Sequence, residues 1–271
     1  MLFSVDDARA SVSSEAVVVN GGAQSDALGE TGDFLFNTLP LLHKESTVLA
    51  AYLRNEAKAK TAAIINTSDD GGKAARDDFA NAFKADGGKI VGSQGGPFGG
   101  TDFRSQLTKL KTTNPDVLVI GAFGQDSAVI INQVREIGWD VQLANTSWVA
   151  IPPVLKSKSA EGLILTTIPF NPSQSFVNEY KKRVGEVPNS AFIGNYYDAV
   201  MMFAKAYESL TASGKQVDGA SLADAIRSIH SFDSSYGTPL TFDDKGVASR
   251  PIDVGVIRQS AVHVIGKDYQ K

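Results

Sequence analysis

Short apolar runs alternate with amphipathic segments in the middle of the chain, the pattern that predicts βαβ units around a parallel sheet. The runs are bounded by Gly, Pro or Asn and predict buried strands over Thr61 to Asn66, Lys89 to Ser93, Asp116 to Gly121 and Val141 to Asn145. Apolar residues recur at helical spacing between the strands, at Phe79 and Phe83, at Phe103, Leu107 and Leu110, and at Ile130, Val134 and Ile137. Each connecting segment is therefore predicted to be a helix with one apolar face.

The pattern changes towards both ends of the chain. Upstream it predicts a strand over Ala16 to Asn20 and a helix over Lys44 to Lys60. After a strand over Gly162 to Thr167, three helices are predicted without intervening strands, over Ser173 to Val184, Ala191 to Leu210 (with Val200, Phe203, Tyr207 and Leu210 on one stripe) and Leu222 to Ile229. Short strands around Thr238 to Phe242, Ile252 to Arg258 and Ala261 to Ile265 indicate an antiparallel end. Because no low-complexity linker is present, two lobes would have to be interleaved.

Composition narrows the classes of function. The 271 residues are 42% hydrophobic and carry a net charge of -4, with no cluster of Lys and Arg, so a nucleic-acid partner is not expected. Cysteine is absent, which excludes disulfides and thiolate chemistry. No apolar run approaches the roughly 20 residues that span a bilayer. The first residues lack a basic and an apolar region, so no signal peptide is predicted there.

Three loops that follow the predicted strands are candidates for a binding site, since ligands of open parallel sheets bind beyond the carboxyl ends of the strands. They are Thr67 to Gly72, Ala122 to Asp126 and Thr146 to Trp148. Two of them carry an aromatic side chain, Phe123 and Trp148, at a position where such a residue often contacts a partner. Packing beneath neighbouring loops explains these aromatics equally well.

A glycine turn after the first predicted strand is a candidate anion site. Asn20 to Asp26 lies between a strand and a short helix, an arrangement that directs backbone N–H groups outward, and Gln24 or Ser25 could add a side-chain contact. An ordinary turn with Ser25 as helix N-cap is the simpler interpretation of these residues alone.

Signatures of enzymes, metals and cofactors are missing. The sequence has no Walker loop, no dinucleotide fingerprint, no nucleophile elbow and no paired-His helix, so no catalytic residue, no metal and no cofactor is predicted. The three histidines, His43, His230 and His263, lie far apart without metal-ligand spacing. A triad assembled from distant residues stays open as an alternative, since such a triad leaves no local motif.

Several segments, in their order along the chain, resemble the type I periplasmic binding proteins, specifically the branched-chain amino acid branch. They are Gly22 to Leu28, Phe34 to Pro40, Ser68 to Gly72, Thr101 to Leu107, Tyr197 to Val200 and Phe242 to Gly246. The resemblance extends from near Ala16 to the C-terminus. It implies an α/β fold of two lobes, each a parallel sheet flanked by helices and joined by three crossovers, that capture a small amino-acid-like ligand in the cleft between them without acting as an enzyme.

The resemblance also implies lobes, a site and partners. The N-terminal lobe would comprise residues 1–40 and 171–236, and the C-terminal lobe residues 41–170 and 237–271. The matching positions that would contact the ligand are Gly22, Ala23, Gln24, Ser25, Phe123, Ser147, Trp148, Phe170, Asn195 and Tyr196, with the first four at its carboxylate. The ligand would pass to the membrane subunits of an ABC transporter, in the periplasm or outside the cell for the full-length form. A cytoplasmic ligand-sensing regulator with the same fold is the alternative that fits the missing signal peptide.

Two features depart from the family pattern. Gly71 stands where an aromatic residue is usual, and Phe123 stands where Tyr is frequent, so leucine-like specificity does not follow from the resemblance. The opening βαβ units of the first lobe have no counterpart in the sequence. An incomplete first lobe is therefore expected, with an exposed sheet edge and exposed apolar helix faces.

Overall fold

The computed structural model describes residues 5–188 and 191–269. Helices occupy Val5–Ser13 (α1), Leu42–Asn55 (α2), Asp70–Ala85 (α3), Arg104–Lys111 (α4), Gly124–Glu136 (α5), Pro152–Leu155 (α6), Gln174–Val184 (α7), Ala191–Ala212 (α8) and Gly219–Ile229 (α9). Strands occupy Val18–Asn20 (β1), Leu35–Asn37 (β2), Thr61–Thr67 (β3), Lys89–Gly96 (β4), Val117–Gly121 (β5), Gln142–Asn145 (β6), Ile164–Thr167 (β7), Ser231–Phe232 (β8), Leu240–Phe242 (β9), Ala248–Ser249 (β10), Asp253–Arg258 (β11) and Ala261–Gly266 (β12). Short 3-10 turns lie at Asp26–Glu30, Ser147–Val149 and Lys158–Ala160. Each predicted strand and helix is present, although α2 ends before the predicted Lys60, since Lys58 has a positive φ of 58°.

The chain forms two compact units. The first comprises the chain up to Leu41 and Ile168–Arg250, and the second comprises Leu42–Thr167 and the chain from Pro251. Residues 237–250, which the sequence analysis placed with the second lobe, belong to the first unit. The reason is their packing, because Leu240 and Ala248 are buried in one cluster with Met202 and Ile226 of α8 and α9.

The second unit is built on a seven-stranded sheet of order β12-β11-β7-β6-β5-β3-β4. Strands β4, β3, β5, β6 and β7 pair in parallel, and β11 and β12 complete the sheet antiparallel. One face packs on α4 and α5, the other on α2 and α3, so both faces are buried. Continuous apolar runs such as Val117–Gly121 follow from burial on both faces. Strand β4 corrects the prediction that all four strands are buried, since this edge strand has one neighbour and exposes Lys89 and Ser93.

The described part of the first unit contains two small sheets and the helices α1, α7, α8 and α9. Strands β1 and β2 pair in parallel, and β8, β9 and β10 form an antiparallel sheet. Within the described residues no further strand pairs with the open edge of β1. Their core combines Phe36 of β2 and Phe232 of β8 with apolar side chains of α8 and α9.

Helix α8 buries a different face from the one its apolar stripe suggested. Met202, Ala206 and Leu210 are buried, whereas Val200 is 67% exposed and Phe203 and Tyr207 are also exposed. The helix has apolar residues on more than one face, so periodicity alone did not identify the buried one. The exposed stripe is the apolar helix face expected for the first lobe.

Candidate functional site

Three loops meet at the carboxyl edge of the second unit's sheet, as predicted. Strands β3, β5 and β6 are neighbours and run parallel, so the loops that follow them lie side by side. The rings of Phe123 and Trp148 pack edge to face with centroids 5.8 Å apart. A Cβ atom added at Gly71 would lie 3.7 Å from the Trp148 ring. Gly71 of the first loop therefore lies against the Trp148 ring of the third, at a distance where a Cβ atom would make ordinary van der Waals contact.

Phe123 and Trp148 were interpreted either as contacts for a ligand or as residues that pack beneath neighbouring loops, and the structure has features of both. Phe123 and Trp148 pack against each other, yet Phe123 keeps 46% of its surface exposed and Trp148 is partly exposed. An exposed aromatic pair at the ligand-binding edge of a parallel sheet is a surface suited to an apolar or aromatic group. Ligand contact by these residues stays a prediction.

Buried polar side chains beneath the edge hold two of the loops. Ser127 donates a hydrogen bond to the Ala122 carbonyl at 2.7 Å, and the Asn145 side chain accepts one from the Thr146 N–H at 2.7 Å. The Asn145 amide group also reaches the Ser127 hydroxyl at 3.4 Å. The loops after β5 and β6 are thus joined below the aromatic pair.

Glu45 is a residue of this edge that sequence reasoning missed. It lies in the first turn of α2 and is fully buried. The Ser147 N–H and the Ser147 hydroxyl each donate to its carboxylate at 2.9 Å, and the Thr166 hydroxyl donates at 2.5 Å. The sequence signal was faint, because an acidic residue in the first turn of a helix is ordinarily a solvated one that favours the helix dipole.

The glycine turn of the first unit is organised by Asn20. The Asn20 Oδ1 atom accepts hydrogen bonds from the N–H groups of Gly22 at 3.2 Å and Ala23 at 2.9 Å. These two N–H groups are therefore satisfied within the turn, contrary to the expectation that they point freely outward. Ser25 occupies the N-cap position of the 3-10 turn at Asp26–Glu30, as the simpler interpretation expected, but its hydroxyl accepts no hydrogen bond from the N–H groups of that turn.

Gln24 and Asn195 lie inside the first unit. Gln24 is buried, and its amide donates to the Pro40 carbonyl at 3.0 Å. Asn195 is buried on α8, donates to the Gly21 carbonyl at 3.2 Å and accepts from the Tyr236 hydroxyl at 2.5 Å. The structure thus gives both side chains a role in holding the turn.

Tyr196 is the exposed partner of this turn. The side chain is 59% exposed, and a Cβ atom added at Gly22 would lie 2.4 Å from its hydroxyl oxygen. A glycine at this position permits that close approach. The structure therefore brings Tyr196 and the Gly22 turn together.

Phe170 lies in the first unit, just after the chain leaves β7. Its ring packs against the Tyr236 ring, with centroids 5.0 Å apart, and against α8 at Gly194. The Arg250 guanidinium carbon lies 3.8 Å from the centroid of the same Tyr236 ring.

A buried ion pair anchors these residues. Arg250 and Asp198 lie 2.8 Å apart with side chains 1% exposed. Arg250 also donates to the Thr38 carbonyl at 3.0 Å, while Asp198 accepts from the Ser235 N–H at 2.7 Å and from the Ser234 hydroxyl. In the sequence Asp198 belongs to one of the segments that resemble the family, whereas no local pattern points to Arg250.

Charged groups elsewhere have structural roles. At the amino-terminal end of the large sheet's parallel strands, burial acts to raise the pKa of Asp116, but hydrogen bonds from the backbone N–H groups of Thr61 and Lys60 outweigh it and lower that pKa.

Across the described residues, no group of three His, Asp or Glu side chains could hold a metal ion.

Comparison with known proteins identifies the family. A family model described as periplasmic binding protein matches residues 6–261. The chain belongs to the periplasmic binding protein family. It is 22% identical over 218 residues to the leucine-, isoleucine-, valine-, threonine- and alanine-binding protein of Pseudomonas aeruginosa and 25% identical over 218 residues to the Leu/Ile/Val-binding protein of Escherichia coli. Each match covers 78% of this chain and 57% of the relative, so the chain spans less than three fifths of these proteins.

Solved structures agree on the fold. A leucine-binding protein from Thermotoga maritima superimposes with a TM-score of 0.85 at 22% identity, over 96% of this chain and 75% of that one. A solute-binding protein of an ABC transporter from R. palustris, solved with benzoate, gives a TM-score of 0.82 at 15% identity, over 97% and 74%. These matches confirm the α/β fold of type I periplasmic binding proteins.

The family bears on the predicted class of function. Its members are solute-binding proteins, which are not enzymes, and relatives in this branch bind amino acids for ABC transporters. The family implies an extracytoplasmic location for the full-length form. The cytoplasmic-regulator alternative gains no support from these comparisons. No helix within residues 5–188 and 191–269 is both long and apolar enough to cross a bilayer.

Proposed function

We propose that this protein captures a small amino-acid-like ligand and delivers it to the membrane subunits of an ABC transporter, in the periplasm or outside the cell. The observation that carries the proposal is the exposed pair of Phe123 and Trp148 at the carboxyl edge of the second unit's sheet. The names of the relatives, which bind leucine, isoleucine and valine, support an amino acid as ligand.

Each unit would contribute contacts. In the second unit we propose Phe123, Ser147 and Trp148, which the structure brings to one edge. In the first unit we propose the turn of Gly22, Ala23, Gln24 and Ser25, together with Phe170, Asn195 and Tyr196. Tyr196 and Ser25 would supply side chains, whereas Gln24 and Asn195 are buried and would act by holding the turn. The two units would then correspond to the two lobes of the family.

Small aromatic acids are a second candidate ligand class. The edge-to-face aromatic pair favours a flat apolar group. Two structural neighbours were solved with benzoate and with 3,4-dihydroxybenzoic acid, at 15% and 21% identity. Leucine-like specificity does not follow from the pattern at Gly71 and Phe123, so the panel that tests binding has to include both classes.

Thermal unfolding and calorimetry with amino acids, small amides and aromatic acids test the proposal. A ligand at 100 times its Kd stabilises the folded state by about 2.7 kcal/mol, which raises the melting temperature by a few degrees. A folded protein that responds to no member of the panel would contradict the proposal.

A pair of variants locates the site. Phe123→Ala is expected to lower the affinity for the ligand about tenfold, since truncating an aromatic side chain that contacts the ligand removes its packing. Tyr207→Ala is the matched control, because Tyr207 is equally exposed at 47% but lies near the far end of α8 in the first unit. Equal losses in both variants would place the ligand elsewhere.

A further inference from the structure

One face of α8 presents apolar side chains to solvent at a regular spacing. Val200, Phe203 and Tyr207 form the exposed stripe, and Tyr196 continues it by one turn towards the start of the helix. The intervals of four, three and four residues keep all of them within about 60° of Val200 around the helix axis. This is the spacing with which two helices pack along a shared seam. The four residues together are the α8 surface.

The α8 surface has the area of a small interface. Its side chains are between 40% and 67% exposed, which corresponds to on the order of 400 Å² of apolar surface. Tyr197 and Met201, nearly half exposed on the adjoining flank, bring the patch to roughly 600 Å², the upper end of what a monomer presents. Two copies joined through this patch would bury roughly 1,200 Å² in all, which reaches the lower limit of specific interfaces.

The α8 surface is complementary to itself when two copies of the helix run antiparallel. A two-fold axis that passes between Val200 and Phe203 sets Val200 against Phe203 of the second copy, so a small side chain meets a large one at both central positions. The same axis sets Tyr196 against Tyr207 of the second copy at both ends. A contact of this symmetry closes as a dimer.

Charge does not oppose this contact. Of the charged residues of α8, Asp198 is buried, and Lys205 and Glu208 lie about 140° and 80° around the axis from Val200, outside the α8 surface. The seam is therefore uncharged from Tyr196 to Tyr207. Antiparallel helices also place their dipoles in a favourable arrangement.

We propose that this protein forms a two-fold dimer in which the α8 surface of one copy packs antiparallel on that of a second copy. The first unit is open beside this surface as well. Tyr196 lies against Gly21, directly after β1, and no strand within the described residues pairs with the outer edge of β1. An open sheet edge beside an apolar patch is a site of association. The inference is independent of the proposed function, since it involves no ligand.

Sedimentation velocity at several concentrations tests the dimer. An interface of this size supports a Kd on the order of 10 µM or weaker, so wild type should change from monomer to dimer between about 1 µM and about 1 mM. A monomer throughout that range would leave the α8 surface to another occupant and overturn the proposal. Species that keep growing beyond a dimer would overturn it too, because a two-fold contact closes.

Two charged substitutions test the arrangement of the helices. Val200→Lys and Phe203→Glu should each raise the dimer Kd at least about tenfold, because each places an unpaired charge in the seam. Mixed in equal amounts, the two variants should associate again, since the introduced lysine of one copy faces the introduced glutamate of the other. A mixture that stays monomeric would exclude the antiparallel contact and overturn the proposal.

A matched control separates this surface from other exposed apolar positions. Val264 is 46% exposed on β12, in the second unit, so Val264→Lys should dimerise like wild type. The circular dichroism of all three variants should match that of wild type, because each substituted side chain is at least 40% exposed. Dimers that survive both α8 substitutions, or that Val264→Lys abolishes as fully, would place the interface elsewhere and contradict the proposal.

Discussion

The two units of this protein are stabilised in different ways. The second unit has a seven-stranded sheet covered by helices on both faces, with an apolar cluster on each face and buried polar side chains such as Glu45, Ser127 and Asn145 near the carboxyl ends of its strands. The first unit has sheets of two and three strands, and a buried ion pair with its hydrogen bonds lies among its helices and loops. Two apolar clusters on a broad sheet supply most of the stabilisation of the second unit, whereas the first unit depends in addition on a buried ion pair that is costly to break.

Among the substitutions that test this difference between the units, Arg250→Met is expected to cause the largest loss of stability. The change leaves Asp198 buried without its cation, which destabilises a protein by about 3–5 kcal/mol. Both tryptophans, Trp139 and Trp148, lie in the second unit, so their emission reports that unit alone. In urea, circular dichroism should reveal an early transition that tryptophan emission does not follow.

A surface arginine of the same unit provides the control for this experiment. Arg183 pairs with Glu179 on α7 with its side chain 75% exposed, so Arg183→Met should cost less than about 1 kcal/mol. A single transition seen by both probes in the Arg250 variant would show that the units do not unfold separately.

Leu118→Ala is the corresponding test of the second unit. Leu118 is fully buried in β5, an interior strand of the sheet, and such truncations cost about 2–5 kcal/mol. Tryptophan emission should report the whole loss in urea. Val264→Ala, at an exposed position of β12, should change stability by less than about 0.5 kcal/mol. If the Leu118 variant lost as little as that control, the account of this unit as held by its apolar core would be wrong.

Replacing a glycine by alanine should destabilise the protein more at Gly72, in the second unit, than at Gly22, in the first. A Cβ atom added at Gly72 would lie 2.2 Å from the Thr67 carbonyl oxygen, so Gly72→Ala has to displace the backbone at the start of α3 and should cost about 1–3 kcal/mol. At Gly22 the clash is with the end of the exposed Tyr196 side chain, which can rotate away. Gly22→Ala should therefore change stability by less than about 0.5 kcal/mol.

Urea unfolding of both glycine variants, together with ligand titration, tests this difference. Gly22→Ala should still lower the affinity for the ligand several-fold, because it moves the Tyr196 side chain away from the turn. Equal stability of the two variants, or unchanged affinity in the Gly22 variant, would contradict the assignment.

The smallest effect is expected on the exposed stripe of α8, formed by Val200, Phe203 and Tyr207. In dilute solution Val200→Ser should change the free energy of unfolding by no more than about 0.5 kcal/mol, since Val200 is 67% exposed. Sedimentation at several concentrations, beside urea unfolding, is the measurement. A loss above about 1.5 kcal/mol would mean that this face is covered even in dilute solution.

Much of the second unit could be predicted because its strands are buried on both faces. Burial on two faces produces continuous apolar runs such as Val117–Gly121, and the helices between them keep a clean apolar spacing, as at Phe79 and Phe83. The meeting of Phe123 with Trp148 also followed, because parallel strands bring their carboxyl ends to one edge.

The first unit was predicted less well because its elements leave less distinct hydrophobic patterns in the sequence. Helix α8 carries apolar residues on several faces, so spacing could not distinguish the buried Met202 from the exposed Phe203. Its short strands, β8 and β10, have two residues each and give no period to detect. Residues 237–250 were assigned to the wrong unit because sequence order does not show which core a short strand joins.

The sequence by itself determined the α/β class, the order of the strands and helices, and the family, because these depend on local periodicity and on segments in a fixed order. Only the tertiary structure decided which polar side chains work together. Glu45 meets Ser147 across 102 positions, and Asp198 meets Arg250 across 52, so neither pair leaves a local pattern. The partners of a buried charge are set by packing between distant segments, where pairing offsets the cost of removing the charge from water.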